Sequence, residues 1–262
     1  MEEKYIVWHI EGGLGKNVAA TSLIESLQIK YADRKIIIVA SYPEIFINHP
    51  IVYRVYKVGN TQYFYDDFIK DKDTIVFKHE PYFETNHIMK RKHLIENWCN
   101  LLGIEYTNQY PVLNFNLVQQ RLANMWKREK PVLVIQTNGG PFNSGVIYSW
   151  TRDIPFDVSL MITEKYSKTH HIIQVCKPSS RKLPNVEVLD EQMSSMEMFL
   201  LLAIADKRIL IDSDTGIITF NNKVDAQNYK LVIITNVKGI EVKSVVSFNI
   251  YPSIDYGMKD NI

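Results

Sequence analysis

The sequence predicts an α/β protein built as two halves, each on a largely parallel sheet. Two observations carry that prediction. Short β-branched runs alternate with amphipathic segments along the whole chain, and after a polar, broken stretch at Tyr106–Val118 the same alternation starts afresh. The composition adds a third: 46% of the 262 residues are hydrophobic and 23% charged, with few Gly and Pro, as in a folded chain and unlike a disordered or fibrous one. The length suits one large domain or two small ones, and the broken stretch places a boundary near 115–130, dividing the chain into 1–124 and 125–262.

Taken in order, Tyr5–Ile10 reads as a first strand and Glu11–Gly15 as a glycine-rich turn. Val18, Leu23, Ile24 and Leu27 then recur at helical spacing before a second strand at Lys35–Ala40, which completes a βαβ unit. A third buried strand, Thr74–Phe77, leads into His79–Pro81. A helix is expected over His93–Leu102, with Gly103 where a C-cap glycine belongs. In the second half a helical segment near Leu122–Lys127 delivers the chain to a strand at Pro131–Gln136. The loop Gln136–Gly145, a helix after Pro155 and a strand at His171–Val175 follow. Ser194 and Glu197 form a capping box at the head of a helix running to Ile204. The strand Arg208–Ile211 ends in the polar loop Asp212–Gly216, and the last clear strand is Leu231–Ile234.

Charge excludes some functions. Thirty basic against 29 acidic residues give a net charge of +1, and neither half is a basic module, so nucleic acid is a minor option. Cys99 and Cys176 stand far apart in no metal-ligand spacing and read as small buried hydrophobes. The longest apolar stretch, Met198–Ala205, is too short for a bilayer span, and Met1–Ile10 resembles no targeting peptide; a cytoplasmic protein without a membrane span is expected.

In open parallel sheets ligands sit beyond the carboxyl ends of the strands. Three loops expected there carry unusual residues. Gly12, Gly13, Gly15 and Lys16 look like a phosphate cradle at a helix start. A P-loop would also need Gly at position 10 and Ser or Thr at 17, where the chain has Ile10 and Asn17, and the plainer reading is a tight turn. Thr137, Asn138, Gly139 and Gly140 offer a backbone that a phosphate or sugar can approach closely. Asp212, Ser213, Thr215 and Gly216 can hold a diphosphate and sugar hydroxyls, or can simply cap a helix. Arg152 can meet a phosphate or pair with Asp153. His170 and His171 project to opposite sides of a strand and cannot chelate one metal together. Glu80, at the close of the third strand, is a candidate general base or a solvated carboxylate.

Four segments together carry a resemblance: GGLGKNVAATSLIESL as a glycine turn and helix, SYPEIFINHPIVYRVYKVG as the next strand and its N-x-P-x-V stretch, VLVIQTNGG as a strand and loop, and MEMFLLLAIADKRILIDSDTG as a helix, a strand and then D-S-x-x-G. In this order and spacing they resemble the GT-B glycosyltransferases, and within them the ADP-heptose:LPS heptosyltransferase-like family. The resemblance implies two Rossmann-like domains facing each other across a cleft, with the acceptor domain at 1–124 and a nucleotide-sugar donor domain at 125–262, abbreviated after Phe220. It implies a metal-independent, inverting transfer of a hexosyl or heptosyl group from a nucleoside-diphosphate sugar to a saccharide or other hydroxyl, with no cofactor and no metal. The departing diphosphate would then be met by backbone N–H groups, hydroxyls and cations, for which Lys16, Ser213, Thr215 and Arg152 are available, with Glu11 or Glu80 as the base.

The sequence also departs from that family's pattern. Lys16 and Asn17 stand where an Asp acts as base, and Ile217 and Ile218 follow the D-S-x-x-G motif where a His is usual. A binding protein that has lost turnover is therefore the second reading, and a deviant P-loop ATPase the third.

Overall fold

Lys35–Ala40, KIIIVA, has five consecutive residues buried, a pattern a strand shows only when both faces of its sheet are covered. It lies at the centre of the first of two units in a computed structural model that describes residues 3–90, 92–107, 109–138, 153–176, 178, 180–190, 193–211, 230–237 and 240–247. The chain parts into the two units between Asn114 and Phe115.

The first unit runs β1 (Lys4–Ile10), α1 (Leu14–Ala20), α2 (Ile24–Lys30), β2 (Lys35–Ala40), β3 (Val52–Lys57), α3 (Phe64–Phe68), β4 (Asp73–Phe77), α4 (Thr85–Lys90) and α5 (Leu94–Leu102). All four strands are parallel, in the order β3-β2-β1-β4, with Tyr5 beside Lys35 and Lys4 beside Asp73. Strand alternation sorts the core into two faces. Tyr5, Val7, Ile37 and Val39 pack on Phe68 on one side, while Trp8, of opposite parity, meets the ring of Trp98 edge-on from α5, with centroids 5.3 Å apart. At the amino ends Arg34 forks onto both Asp73 carboxylate oxygens at 2.8 Å, tying β2 to β4 across β1.

Two local details have side-chain causes. The helical spacing predicts one continuous helix, but a tighter 3₁₀ turn at Thr21–Leu23 separates α1 from α2. There the hydroxyls of Thr21 and Ser22 donate to the carbonyls of Val18 and Ala19, the back-bonding that tightens and bends helices. α5 ends as expected, with Gly103 in the left-handed region at φ 61° accepting the role of C-cap.

The second unit runs α6 (Leu117–Ala123), β5 (Val132–Ile135), α7 (Phe156–Ser167), β6 (His171–Val175), β7 (Glu187–Leu189), α8 (Ser195–Ile204), β8 (Lys207–Ile209), β9 (Lys230–Val237) and β10 (Ile240–Ser247). Its main sheet is parallel too, ordered β7-β6-β5-β8, so each unit places its first strand between its second and its fourth. Leu133, Ile135, Ile172 and Leu183 form the core against Phe156 and Leu160 of α7. The expected capping box closes α8 at its head: Ser194 accepts from the Glu197 N–H and Glu197 accepts from the Ser194 N–H. At its tail the buried Arg208 guanidinium donates to the carbonyls of Leu202 and Ala203, a cation where the helix dipole is negative.

The last expected strand, Leu231–Ile234, is longer than predicted and pairs antiparallel with β10 as a separate two-stranded sheet. The two runs stand only two residues apart, the spacing of a hairpin rather than of a parallel crossover.

Candidate functional site

In both units the strand order reverses beside the first strand, between β1 and β4 and between β5 and β8. At such switch points the loops leaving the two strands diverge to opposite faces and open a crevice at the carboxyl edge.

At the first switch point the loop after Ile10 holds Glu11–Gly13 and the chain after Phe77 holds Lys78–Glu80. Gly12 takes φ +110°, a conformation L side chains rarely adopt, and its amide donates to the Ser41 hydroxyl at 3.2 Å. A Cβ there would stand 3.1 Å from the Lys16 Cδ, so the glycine lets the lysine fold back beneath the turn. Gly13 is the N-cap of α1, and Gly15 lies in its first turn. Asn17, fully buried, donates to the Gly13 carbonyl at 2.9 Å and accepts from the Tyr42 N–H at 3.4 Å, bracing the turn against the loop after β2.

Lys16 does not face solvent. Its side chain is 4% exposed, its ammonium pairs with the Glu80 carboxylate, and the rings of Tyr82 and Trp98 each lie 5.8 Å away. Glu80 is held through its other oxygen as well, which accepts from the Tyr82 N–H at 3.4 Å as an N-cap. Burial, helped by the Glu80 charge, pushes the Tyr82 phenol up. Glu11 is exposed, 3.4 Å from both His9 and Lys78, and burial lowers the His9 imidazole. The structure thus brings Glu80 and Lys16 together as one buried-cation pair and leaves Glu11 at the rim.

At the second switch point the Gln136 N–H donates to the Ile209 carbonyl at 2.9 Å, locking the ends of β5 and β8 together. Thr137, 4% exposed, donates its hydroxyl to Asn138 at 2.7 Å, and Asn138 donates to the Asp153 carboxylate at 3.1 Å. The Ile154 N–H on the Thr137 carbonyl, at 3.0 Å, brings the head of α7 back to the same edge. Gln174, which nothing in the sequence singled out, is the hub beneath. Fully buried near the end of β6, it donates to the Thr137 hydroxyl at 3.2 Å and to the Arg181 carbonyl at 3.0 Å, and accepts from the Leu183 N–H at 2.8 Å. Gly139, Gly140, Arg152, Asp212, Ser213, Thr215 and Gly216 lie outside the described residues.

A cleft of about 430 Å³ lies at the opposite, amino edge of this sheet, lined by Arg128, Lys130, His170, His171 and Glu187. Its central carboxylate, Glu187, is already matched. Burial alone would raise the Glu187 carboxyl, but His171 at 2.6 Å and Arg128 at 3.1 Å hold it below the usual range. Cys99 is buried as expected, whereas Cys176 is half-buried, and both are free thiols. Among the described residues no group of three or more His, Cys, Asp or Glu is placed to hold a metal ion, and no helix is long and apolar enough to cross a membrane.

No protein-family model matches the chain, and no curated protein matches it by sequence. Solved structures do. E. coli ADP-heptose LPS heptosyltransferase II superposes with a TM-score of 0.59 at 12% identity, over 84% of this chain and 81% of that one. A glycosyl transferase family 9 protein from Veillonella parvula gives 0.63 at 10% identity, over 84% and 79%. E. coli heptosyltransferase WaaC, solved with ADP, gives 0.50 at 12% identity, over 82% and 83%. At such identities the likeness speaks for the fold, and it agrees with the resemblance carried by the four sequence segments: this chain has the α/β fold of the heptosyltransferase-like GT-B glycosyltransferases.

Proposed function

We propose that the chain is a glycosyltransferase that moves a sugar from a nucleoside diphosphate to a hydroxyl acceptor, the donor held by the second unit and the acceptor by the first. The observation that carries this reading is the repeated strand order. Each unit has its own switch point, one furnished with a carboxylate and the other with a braced hydroxyl and amide loop. Structures of heptosyltransferases with the same fold support it, one of them solved with ADP.

In the proposed reaction a carboxylate takes the acceptor's hydroxyl proton, and the oxygen attacks the anomeric carbon from the face opposite the diphosphate. The C–O bond to phosphate breaks with inversion, and the diphosphate leaves with the electron pair. Glu80 suits the base better than Glu11. It sits on the switch point with its orientation fixed from two sides, whereas Glu11 is an exposed rim residue beside the Lys78 ammonium and the His9 imidazole. The oxygen not paired with Lys16 accepts only the long contact from the Tyr82 N–H, and its remaining lone pair is the one to take a proton. The leaving group would be met by Asn138, braced by the Thr137 hydroxyl, and by the groups of the loops 139–152 and 212–216 without a metal ion. Asp212 and Asp214 stand two apart, a spacing that also suits a divalent cation, so the test is run with and without Mg²⁺.

A second reading, a nucleotide- or sugar-binding protein without turnover, is favoured by one observation: both carboxylates named at the first switch point already have cationic partners. The experiment is a thermal-shift screen against UDP, GDP, ADP, CDP and their sugar conjugates, followed by an assay for free nucleoside diphosphate with the conjugate that binds. A selective shift with slow release, lost in Glu80→Gln while nucleotide affinity stays, is expected. Binding without release at any acceptor tried selects the second reading, and no shift with any nucleotide overturns both.

A further inference from the structure

Arg181 follows β6, on the carboxyl side of the second sheet, and three observations set it apart. Its guanidinium carbon lies 3.4 Å from the centroid of the Phe156 ring, the first residue of α7, so the planar group is seated on the ring face. Its main chain is tied down by one buried amide: Gln174 donates to the Arg181 carbonyl and accepts from the Leu183 N–H, while also donating to the hydroxyl of Thr137. Among the described residues the guanidinium has neither a hydrogen-bond acceptor nor a carboxylate partner, although the residue is exposed. The neighbouring cation is committed: Lys182 pairs with Asp190.

A guanidinium stacked on a ring keeps its five N–H donors in the plane, aimed outward and unspent. A stacked group also loses little further rotamer freedom when those donors are used, which favours a planar, bidentate anion. The Arg181 main chain and the Thr137 side chain hang from the same Gln174 amide, so the two stretches of chain are held in one register.

We propose that Arg181 binds the diphosphate of the nucleotide donor, with Gln174 as the positioning residue that registers it against Thr137. This inference rests on the nucleotide-sugar reading above and adds to it the cation that meets the phosphates. The test titrates the intact chain with ADP, GDP, UDP and CDP and with the four matching nucleosides, in the wild type, Arg181→Ala and Arg181→Lys. Because Arg181 is exposed, both variants fold, which an unchanged melting temperature checks. Loss of the charged fork is expected to weaken the preferred diphosphate about 10- to 100-fold in Arg181→Ala. The nucleoside should stay within about twofold, and Arg181→Lys should recover only part of the loss, since a lysine is a point charge. Unchanged diphosphate affinity in Arg181→Ala overturns this inference and leaves the glycosyltransferase reading standing. Equal losses for diphosphate and nucleoside also overturn it, by moving Arg181 to the base or ribose. Wild-type protein that binds none of the four diphosphates overturns the inference together with the reading it rests on.

Discussion

Glu80→Gln should destabilise the first unit more than Lys16→Met, even though the two residues form one pair. The asymmetry follows from burial. Lys16 is 4% exposed and Glu80 36% exposed, so removing the carboxylate strands an ammonium where water does not reach, whereas removing the ammonium leaves a carboxylate that water does reach. Stranding one member of a buried pair costs about 3–5 kcal/mol. Here the Gln amide oxygen still accepts a hydrogen bond and the rings of Tyr82 and Trp98 remain, each contributing about 0.5–1 kcal/mol at most at 5.8 Å, so about 2 kcal/mol is expected. Lys16→Met keeps the length of the side chain and its apolar contacts and should cost at most about 1 kcal/mol. The double variant should return close to the lysine variant alone, giving a coupling of about 2 kcal/mol, the cost of Glu80→Gln itself. Urea unfolding read by tryptophan fluorescence suits this unit, because Trp8 and Trp98 are both fully buried in its core. If Glu80→Gln proved no costlier than Lys16→Met, the ammonium would have another outlet, and the closed pair described here would be wrong. Turnover and nucleotide affinity of Glu80→Gln are best measured well below its lowered midpoint.

His93 caps α5 by accepting from the Ile95 N–H, and burial, with a smaller contribution from His87, lowers its imidazole from 6.5 to about 4 against the opposing pull of Glu96. A lowered folded value means that the unfolded chain binds more protons between those limits. The stabilisation is therefore complete above about pH 6.5 and is lost as pH falls toward 4, roughly 1–3 kcal/mol in all. His93→Asn keeps a capping acceptor and should flatten the urea midpoint across that window; an unchanged slope would assign it to other groups. In the native protein at pH 8 a thiol reagent should label Cys176 before Cys99, because Cys99 is fully buried and its thiol is pushed up to about 12. Equal rates would mean that α5 opens as often as the edge of the second sheet.

The elements legible in the sequence are those whose signals are local. Lys35–Ala40 announces itself as an unbroken aliphatic run because both of its faces are covered, and α5 and α8 carry their own end marks in Gly103 and in the Ser194–Glu197 box. β3 and β7 escape notice because their local patterns are weak. Val52–Lys57 alternates only weakly between sides, with no residue fully buried, and Glu187–Leu189 is three residues long. The helical segment expected near Leu122–Lys127 is present as the end of α6 and a 3₁₀ turn at Asn124–Trp126, but it starts earlier, at Leu117, where Asn116 exchanges hydrogen bonds with Gln119 at 2.8 and 2.9 Å in a box that uses no Ser, Thr or Glu. Glu80 and Thr137 stand out in the sequence because they follow strands at carboxyl ends. Their partners Lys16, 64 positions from Glu80, and Gln174, 37 positions from Thr137, were legible only as a loop cation and an ordinary strand residue. Long-range pairing leaves no mark in a local window.

That limit bears most on Lys16, since a lysine after a glycine turn invites a phosphate and the structure gives it a carboxylate. A P-loop lysine must be free to reach β- and γ-phosphates from the first turn of its helix. Lys16 does stand in the first turn of α1, yet its ammonium is buried under Gly12 and closed off by Glu80, Tyr82 and Trp98. Freeing it would break the pair and return a long side chain to water, a cost that a nucleotide bound there would have to overcome. If the diphosphate is held by the second unit, Lys16→Met leaves nucleoside-diphosphate affinity within about twofold while Arg181→Ala lowers it tenfold or more. If the first unit is instead a phosphate cradle, the ranking reverses, and Mg²⁺-ATP is the nucleotide lost in Lys16→Met. Titration of both variants with ADP and with Mg²⁺-ATP separates the two, because each arrangement predicts a loss where the other predicts none.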